Sequence, residues 1–108
     1  MKKIVERSTY YNVMTPSGPL HVHINYDEKG ARKVFTSLPP IGTDFNNLVA
    51  LIGILITKYL EKEGKLEDLV KHLQSIKSNK SVMWEGKAIE SVPHALAMII
   101  QEHTDKNK

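Results

Sequence analysis

The chain has 108 residues, of which 41% are hydrophobic and 25% are charged, and this is typical of a single globular domain. It contains no cysteine, which excludes disulfide scaffolds, thiolate metal sites and thiol nucleophiles. The formal net charge of +3 predicts a mildly basic surface that would suit a phosphate-bearing partner. The first residues, MKKIVER, lack the apolar segment of a secretory signal, and we therefore expect a cytoplasmic protein.

The N-terminal third of the chain has the pattern of an antiparallel meander. We predict strands over residues 8–14, 20–26 and about 32–37. The first is rich in β-branched and aromatic side chains and ends at a cluster of proline and glycine. The second alternates strictly between apolar and polar side chains. The sequence DEKG at 27–30 favours a type I hairpin turn into the third strand.

The rest of the chain predicts three helices. The first begins at the capping residues Thr43 or Asp44 and runs to about Glu63, with Gly64 as the residue that ends it. Its segment 48–56, LVALIGILI, contains no polar side chain but is far shorter than the ~20 residues of a membrane span. We predict two more helices, over about 66–76 and about 91–103.

These elements predict an α+β fold, in which a three-stranded antiparallel meander packs on a long central helix and is followed by two further helices. We expect one domain over residues 1–108, with flexible ends at 1–7 and 104–108.

The long helix raises a question about the number of subunits. One of its sides can cover the sheet, but its other side needs a second cover; that side consists of Leu48, Leu51, Ile54 and Leu55. The last helix could supply this cover through Leu96, Ile99 and Ile100. Another subunit is the alternative, and we favour it because so short a chain has little mass with which to surround a helix.

Several segments between Thr9 and Gln101 carry a family resemblance: YNVMTPSG at 11–18, the hairpin with Gly30, VF at 34–35, the long helix, and ESVPHAL at 90–96. Together they resemble the TSCPD domain, a C-terminal module of adenosylcobalamin-dependent ribonucleotide reductases that also occurs in small stand-alone proteins. The last segment looks like the family's Ser-x-Pro-Asp-Ala run, with His94 in place of the aspartate. The resemblance implies a small α+β module with no established chemistry of its own, and without cysteine no metal or redox role is carried over.

No catalytic pattern is recognisable, and we predict neither enzyme activity nor a cofactor. Serine and histidine occur without a nucleophile elbow, and no paired carboxylates stand in an apolar setting. His21 and His23 would point to the same side of a strand. A metal needs three or four ligands, so we interpret these two histidines as exposed or interface residues.

Trp84 is the first candidate for ligand binding. It is the only tryptophan and is accompanied by Lys77, Lys80 and Lys87, so it could stack a base while the lysines hold phosphate. The alternative is that Trp84 covers the edge of the core while the lysines keep a loop solvated.

Two further places offer groups for an anion. The start of the long helix, with Thr43, Asn46 and Asn47, presents unpaired N–H groups that could receive a phosphate, although ordinary capping also explains these residues. Arg7, Arg32 and Lys33 form a second basic group at the strand ends, which is too small to predict binding of duplex nucleic acid.

From these features we expect a non-catalytic, homo-oligomeric protein that binds a small anionic ligand, in the first place a nucleotide, at a junction between subunits formed by the helix around 48–56. Such a protein could sequester a signalling nucleotide, by analogy with phage counter-defence proteins. The alternatives are an accessory module that docks on a larger enzyme such as a ribonucleotide reductase, and a weak binder of single-stranded nucleic acid.

Overall fold

The computed structural model describes residues 6–106. Its elements are β1 (Arg7–Thr15), β2 (Gly18–Asp27), β3 (Gly30–Ser37), α1 (Asp44–Glu61), a 3₁₀ turn (Leu66–Leu69), α2 (Val70–Gln74), β4 (Val82–Trp84), β5 (Lys87–Ile89) and α3 (Val92–Lys106). Strands β1, β2 and β3 form an antiparallel sheet in that order, and β4 pairs with β5 in a separate hairpin. The predicted α+β fold, with a three-stranded antiparallel meander followed by helices, is confirmed.

One face of the three-stranded sheet forms the core. Strict alternation along β2 buries Leu20, Val22 and Ile24 completely, because successive side chains of a strand point to opposite faces. Helix α3 packs on this side through contacts with β1 and β2, and it also contacts α2 and the 3₁₀ turn. Its core residues are Ala95, Leu96, Ile99 and Ile100.

Helix α1 lies along the edge strand β3, and its side chains bond to backbone groups on the side of β3 that has no neighbouring strand. The hydroxyl of Thr57 accepts a hydrogen bond from the Val34 amide at 2.9 Å and donates one to the Val34 carbonyl at 3.2 Å. The buried side chain of Asn46 accepts from the Leu38 amide at 2.9 Å. An edge strand is normally a site of unwanted pairing with other chains, and here helical side chains occupy its polar groups.

The helix ends differ in detail from those predicted. Glu63, rather than Gly64, takes the left-handed conformation after α1, with φ of 65°. Gly64 instead lies against the ring of Tyr59, which would have to move to admit a Cβ atom, since that atom would lie 2.4 Å from it. The helix predicted over 66–76 is a 3₁₀ turn followed by the short α2, which ends at Gln74.

The ends of the chain were predicted to be flexible. Arg7 is the first residue of β1, and residues 104–106 belong to the last turns of α3, while residues 1–5 and 107–108 lie outside the described residues. Within residues 6–106, no helix combines the length and the apolar character that crossing a membrane requires.

Candidate functional site

A groove of about 530 Å³ lies between the β4–β5 hairpin and the exposed side of α3. Trp84 and Lys87 line it from the hairpin, and Gln74 lines it from α2. From α3 it is lined by His94, Met98, Gln101, Glu102, Asp105 and Lys106. The structure therefore brings two of the predicted ligand residues, Trp84 and Lys87, into one concave surface.

Trp84 is half-buried and packs against the hydrophobic core as well as lining the groove. A tight turn places Lys87 opposite it in the hairpin, since Glu85 and Gly86 both take positive φ angles, of 49° and 79°. The two interpretations of Trp84, as core edge and as ligand platform, are therefore compatible with each other.

The groove carries charges of both signs. Lys87 and Lys106 contribute positive charge, while Glu85, Glu102 and Asp105 contribute negative charge. The Lys106 ammonium lies 3.3 Å from the Glu102 carboxylate, and this pair is exposed. At the hairpin end of the groove, Lys87 offers a cationic group and Glu85 a carboxylate.

His94 supplies a polar group at the side of the groove. Its Nδ1 atom accepts a hydrogen bond from the Glu90 amide at 3.0 Å, which fixes the ring orientation. With Nδ1 as acceptor, the other ring nitrogen of His94 is the one that can donate to a ligand.

The remaining lysines of the predicted cluster lie elsewhere. Lys77 forms an ion pair of 3.2 Å with Glu90, and Lys80 is exposed in the loop that precedes β4. Neither residue lines the groove. The sequence cluster of one tryptophan and three lysines is therefore divided, with only Lys87 beside the ring.

At the start of α1, capping accounts for most of the predicted residues. The Thr43 hydroxyl accepts from the Asn46 amide at 3.2 Å and donates to the Pro40 carbonyl at 2.9 Å. Asn46 is buried against Leu38, whereas Asn47 is exposed. The structure gives Thr43 and Asn46 structural partners, and neither they nor Asn47 line the groove.

The two arginines lie at the hairpin end of the sheet, away from the groove lining. Arg32 Nε donates to the carboxylate of Asp27 at 2.8 Å, and this hydrogen bond holds the pKa of Asp27 below its ordinary value. Arg7 is exposed and stands opposite Tyr26 in the register of β1 and β2.

Three of the five histidines occupy two different environments. His21 and His23 lie on the outer face of the sheet, where the Tyr10 hydroxyl hydrogen-bonds to Nδ1 of His21. His103 is buried between Tyr11 and Tyr26, and burial lowers its pKa. Across residues 6–106, no three histidine, aspartate or glutamate side chains are grouped so that they could hold a metal ion.

The far side of α1 remains uncovered in the described chain. Five large apolar side chains of this helix keep 45% to 60% of their surface exposed: Phe45, Leu48, Leu51, Ile54 and Leu55. The last helix does not cover them, because its residues Leu96, Ile99 and Ile100 are buried in the core instead. No residue of α1 lines the groove, so the apolar face and the groove are separate surfaces.

The signal for the α3 wall of the groove was present in the sequence. His94, Met98, Gln101, Glu102 and Asp105 follow one another at helical spacing, and this places them on one stripe of the helix. The sequence alone could not reveal that this stripe faces Trp84, because the hairpin reaches it only through the tertiary fold.

The family model described as the TSCPD domain matches residues 2–104 of the 108 residues. Neither the curated proteins nor the solved structures gave a significant match. The resemblance found in the sequence is therefore confirmed, and the chain belongs to the TSCPD domain family.

Proposed function

We propose that the protein is a non-catalytic, homo-oligomeric binding protein for a small anionic ligand, a nucleotide, which it holds in the groove beside Trp84. The observation that carries this proposal is the presence of Trp84 and Lys87 in one groove. An indole ring can stack on a nucleobase, and an ammonium group next to it can hold a phosphate. A protein that binds in this way without catalysis would act by sequestering its ligand.

The carboxylates in the groove narrow the class of ligand. Glu102 and Asp105 would repel a free phosphate ion, but they can accept hydrogen bonds from the hydroxyl groups of a ribose or the amino group of a base. A nucleotide could place its phosphate near Lys87 and its hydrogen-bond donors near the carboxylates of α3. Inorganic phosphate could interact only with Lys87.

The uncovered face of α1 supports self-association. Burying one Leu, Ile or Phe side chain fully contributes about 1.5–3 kcal/mol, so five half-exposed side chains on each of two copies would contribute roughly 10 kcal/mol. Association costs on the order of 4–15 kcal/mol of lost freedom. A second copy packed on this face would therefore form a dimer that depends on protein concentration. The ligand groove would lie outside that interface, since α1 does not line it.

Docking on a larger enzyme is the second candidate function, and the same apolar face of α1 favours it. The two functions differ in what occupies this face and in whether a free nucleotide binds. An accessory module would be monomeric when purified alone at micromolar concentration and would not respond to nucleotides.

Native mass spectrometry of the purified protein, followed by thermal shift against a panel of linear and cyclic nucleotides, tests the proposal. We expect a dimer or higher oligomer and a melting temperature that rises with the concentration of one ligand class. Lys87→Glu should abolish this rise. Lys80→Glu, which makes the same charge change in an exposed loop outside the groove, should retain it. A monomer without any nucleotide response would contradict the proposal.

A further inference from the structure

We propose that the outer face of the three-stranded sheet is a second binding surface, on which unpaired bases of single-stranded nucleic acid stack. This inference goes beyond the proposed function, since it concerns residues that do not line the groove. It starts from three rings, Tyr10, His23 and Phe35, that belong to three different strands.

The strand register places these rings in one row. Tyr10 of β1 is opposite His23 of β2, and His23 is opposite Phe35 of β3. The rings of Tyr10 and His23 have centroids 4.8 Å apart, and the ring of His21 lies nearly parallel to that of Tyr10 at 5.8 Å. The row therefore extends across the full width of the sheet.

The described chain leaves this row open. Tyr10 is 50% exposed and Phe35 is 52% exposed, while α3 packs on the opposite face and α1 lies along the edge of β3. Exposed aromatic rings that lie side by side on a sheet are how several RNA-binding domains stack two or three bases. Each stacked base is worth about 1–3 kcal/mol.

The scaffold restrains the Tyr10 ring and the backbone that carries Phe35 before any ligand arrives. The Tyr10 hydroxyl is bonded to His21, and the neighbours of Phe35 along β3, Val34 and Thr36, are both hydrogen-bonded to α1. The Tyr10 ring, restrained in this way, loses little conformational freedom on binding.

The residue rows on either side of the three rings supply hydrogen-bonding groups, and their charge favours an anionic ligand. The three paired rows of this face are Ser8, Asn25 and Lys33, then Tyr10, His23 and Phe35, then Asn12, His21 and Ser37. They contain hydroxyl and amide groups, one lysine and no carboxylate. A phosphate backbone would meet no repelling charge in these rows.

The composition of the face also distinguishes this occupant from a second copy of the chain. Subunit interfaces of homodimers are about two-thirds apolar and are depleted in charge at their centre. Only Tyr10 and Phe35 among the nine residues provide large hydrocarbon rings, and Lys33 adds a charge that an apolar subunit interface would have to bury. The exposed face of α1 is far more apolar and suits a second copy better.

Fluorescence anisotropy with labelled 12-nucleotide single strands of DNA and RNA tests the inference. We expect binding that weakens with added salt and that falls about 5- to 100-fold in each of Tyr10→Ala and Phe35→Ala. Tyr10→Phe, which keeps the ring and loses only the hydroxyl bonded to His21, should bind far more tightly than Tyr10→Ala. Ile76→Ala is the control, because it removes an equally exposed large apolar side chain that lies outside the sheet, the groove and α1.

Circular dichroism and melting temperature establish that each variant is folded before binding is compared. Retention of binding in folded Tyr10→Ala and Phe35→Ala would overturn the inference, as would the absence of single-strand binding in the wild type. A change of oligomeric mass in Phe35→Ala, without any effect on nucleic acid, would also overturn it and assign the face to subunit contact.

The same variants distinguish the sheet face from the groove. Lys87→Glu should leave single-strand binding intact, whereas it should abolish binding of a free nucleotide. If mononucleotide binding is instead lost in Tyr10→Ala and kept in Lys87→Glu, the stacking face is supported and the groove is not the nucleotide site.

Discussion

The amide nitrogen of Gly53 in α1 donates a hydrogen bond of 3.0 Å to the hydroxyl oxygen of Thr36 in β3. The same hydroxyl donates to the carbonyl of Val49 at 2.5 Å. Val49 and Gly53 are four residues apart, so their carbonyl and amide are the two groups that a regular α helix joins directly. One threonine therefore connects the edge of the sheet to the backbone inside the helix, and the helix can approach this closely only at a glycine.

Replacing Gly53 by alanine should destabilise the protein. A Cβ atom would lie 2.7 Å from the Thr36 hydroxyl and 2.8 Å from the Val34 carbonyl, and neither backbone can move without breaking the contact between α1 and β3. We expect a loss of about 1–3 kcal/mol in urea unfolding, although alanine is the better helix former by ~1 kcal/mol. Glu61→Ala, at an exposed polar position near the end of the same helix, is the control. An unchanged or raised free energy of unfolding in Gly53→Ala would contradict the close approach.

The second threonine contact gives a separate prediction. Thr57→Val should leave the amide and carbonyl of Val34 without their partner, and an unsatisfied buried polar group costs about 1–3 kcal/mol. Thr57→Ser keeps the hydroxyl and should recover most of the free energy of unfolding measured for the wild type. If valine and serine at this position are equally stable, the hydroxyl does not stabilise the edge strand.

Much of the sheet could be predicted because its signals are local. The alternation of Leu20, Val22 and Ile24 with polar residues depends only on the two-residue period of a strand, and the structure buries these three side chains completely. The role of Gly53 had no such signal. No neighbouring residue in the apolar run 48–56 indicates why a glycine is required there. The requirement arises from the backbone of β3, which is distant in sequence.

The candidate site was predictable only in part for the same reason. Trp84 and Lys87 are three residues apart and pair across a hairpin turn. Residues so close in sequence are also close in space, and the sequence therefore indicated this pair. Lys77 is also close to Trp84 in sequence, but its ammonium group forms an ion pair with Glu90. The α3 wall of the groove is distant in sequence, and only the packing of the hairpin against that helix brings it into place.

Self-association through α1 can be tested with a single charge. Leu55→Lys places an ammonium group on the exposed apolar face and should convert the proposed oligomer to a monomer, because an unpaired charge is costly to bury. Sedimentation velocity over a range of micromolar concentrations measures this change. Met83→Lys, on an exposed residue of β4, is the control and should leave the assembly intact. Equal sedimentation of both variants and the wild type would exclude α1 as the interface.

Stability should depend on pH through His103. Burial lowers the pKa of this histidine below its ordinary value of 6.5, so the unfolded chain binds a proton at a higher pH than the folded chain does. The stability is therefore fully present above about pH 6.5, and it is lost as the pH falls below that value towards the lowered pKa of the folded state. The lowered pKa of Asp27 also makes the folded state less stable as the pH falls. Because the ordinary pKa of this group is 3.8, its effect occurs at more acidic pH than that of His103.

Melting temperatures between pH 7.5 and 5.0 measure this effect, with His103→Gln as the comparison. Glutamine keeps a polar side chain beside the Tyr11 hydroxyl, which lies 3.2 Å from Nδ1 of His103, but it does not titrate. The wild type should lose more stability than His103→Gln over this range, since the other four histidines are common to both proteins. Parallel curves would show that protonation of His103 does not limit stability in acid, and its buried position between Tyr11 and Tyr26 would then matter through packing alone.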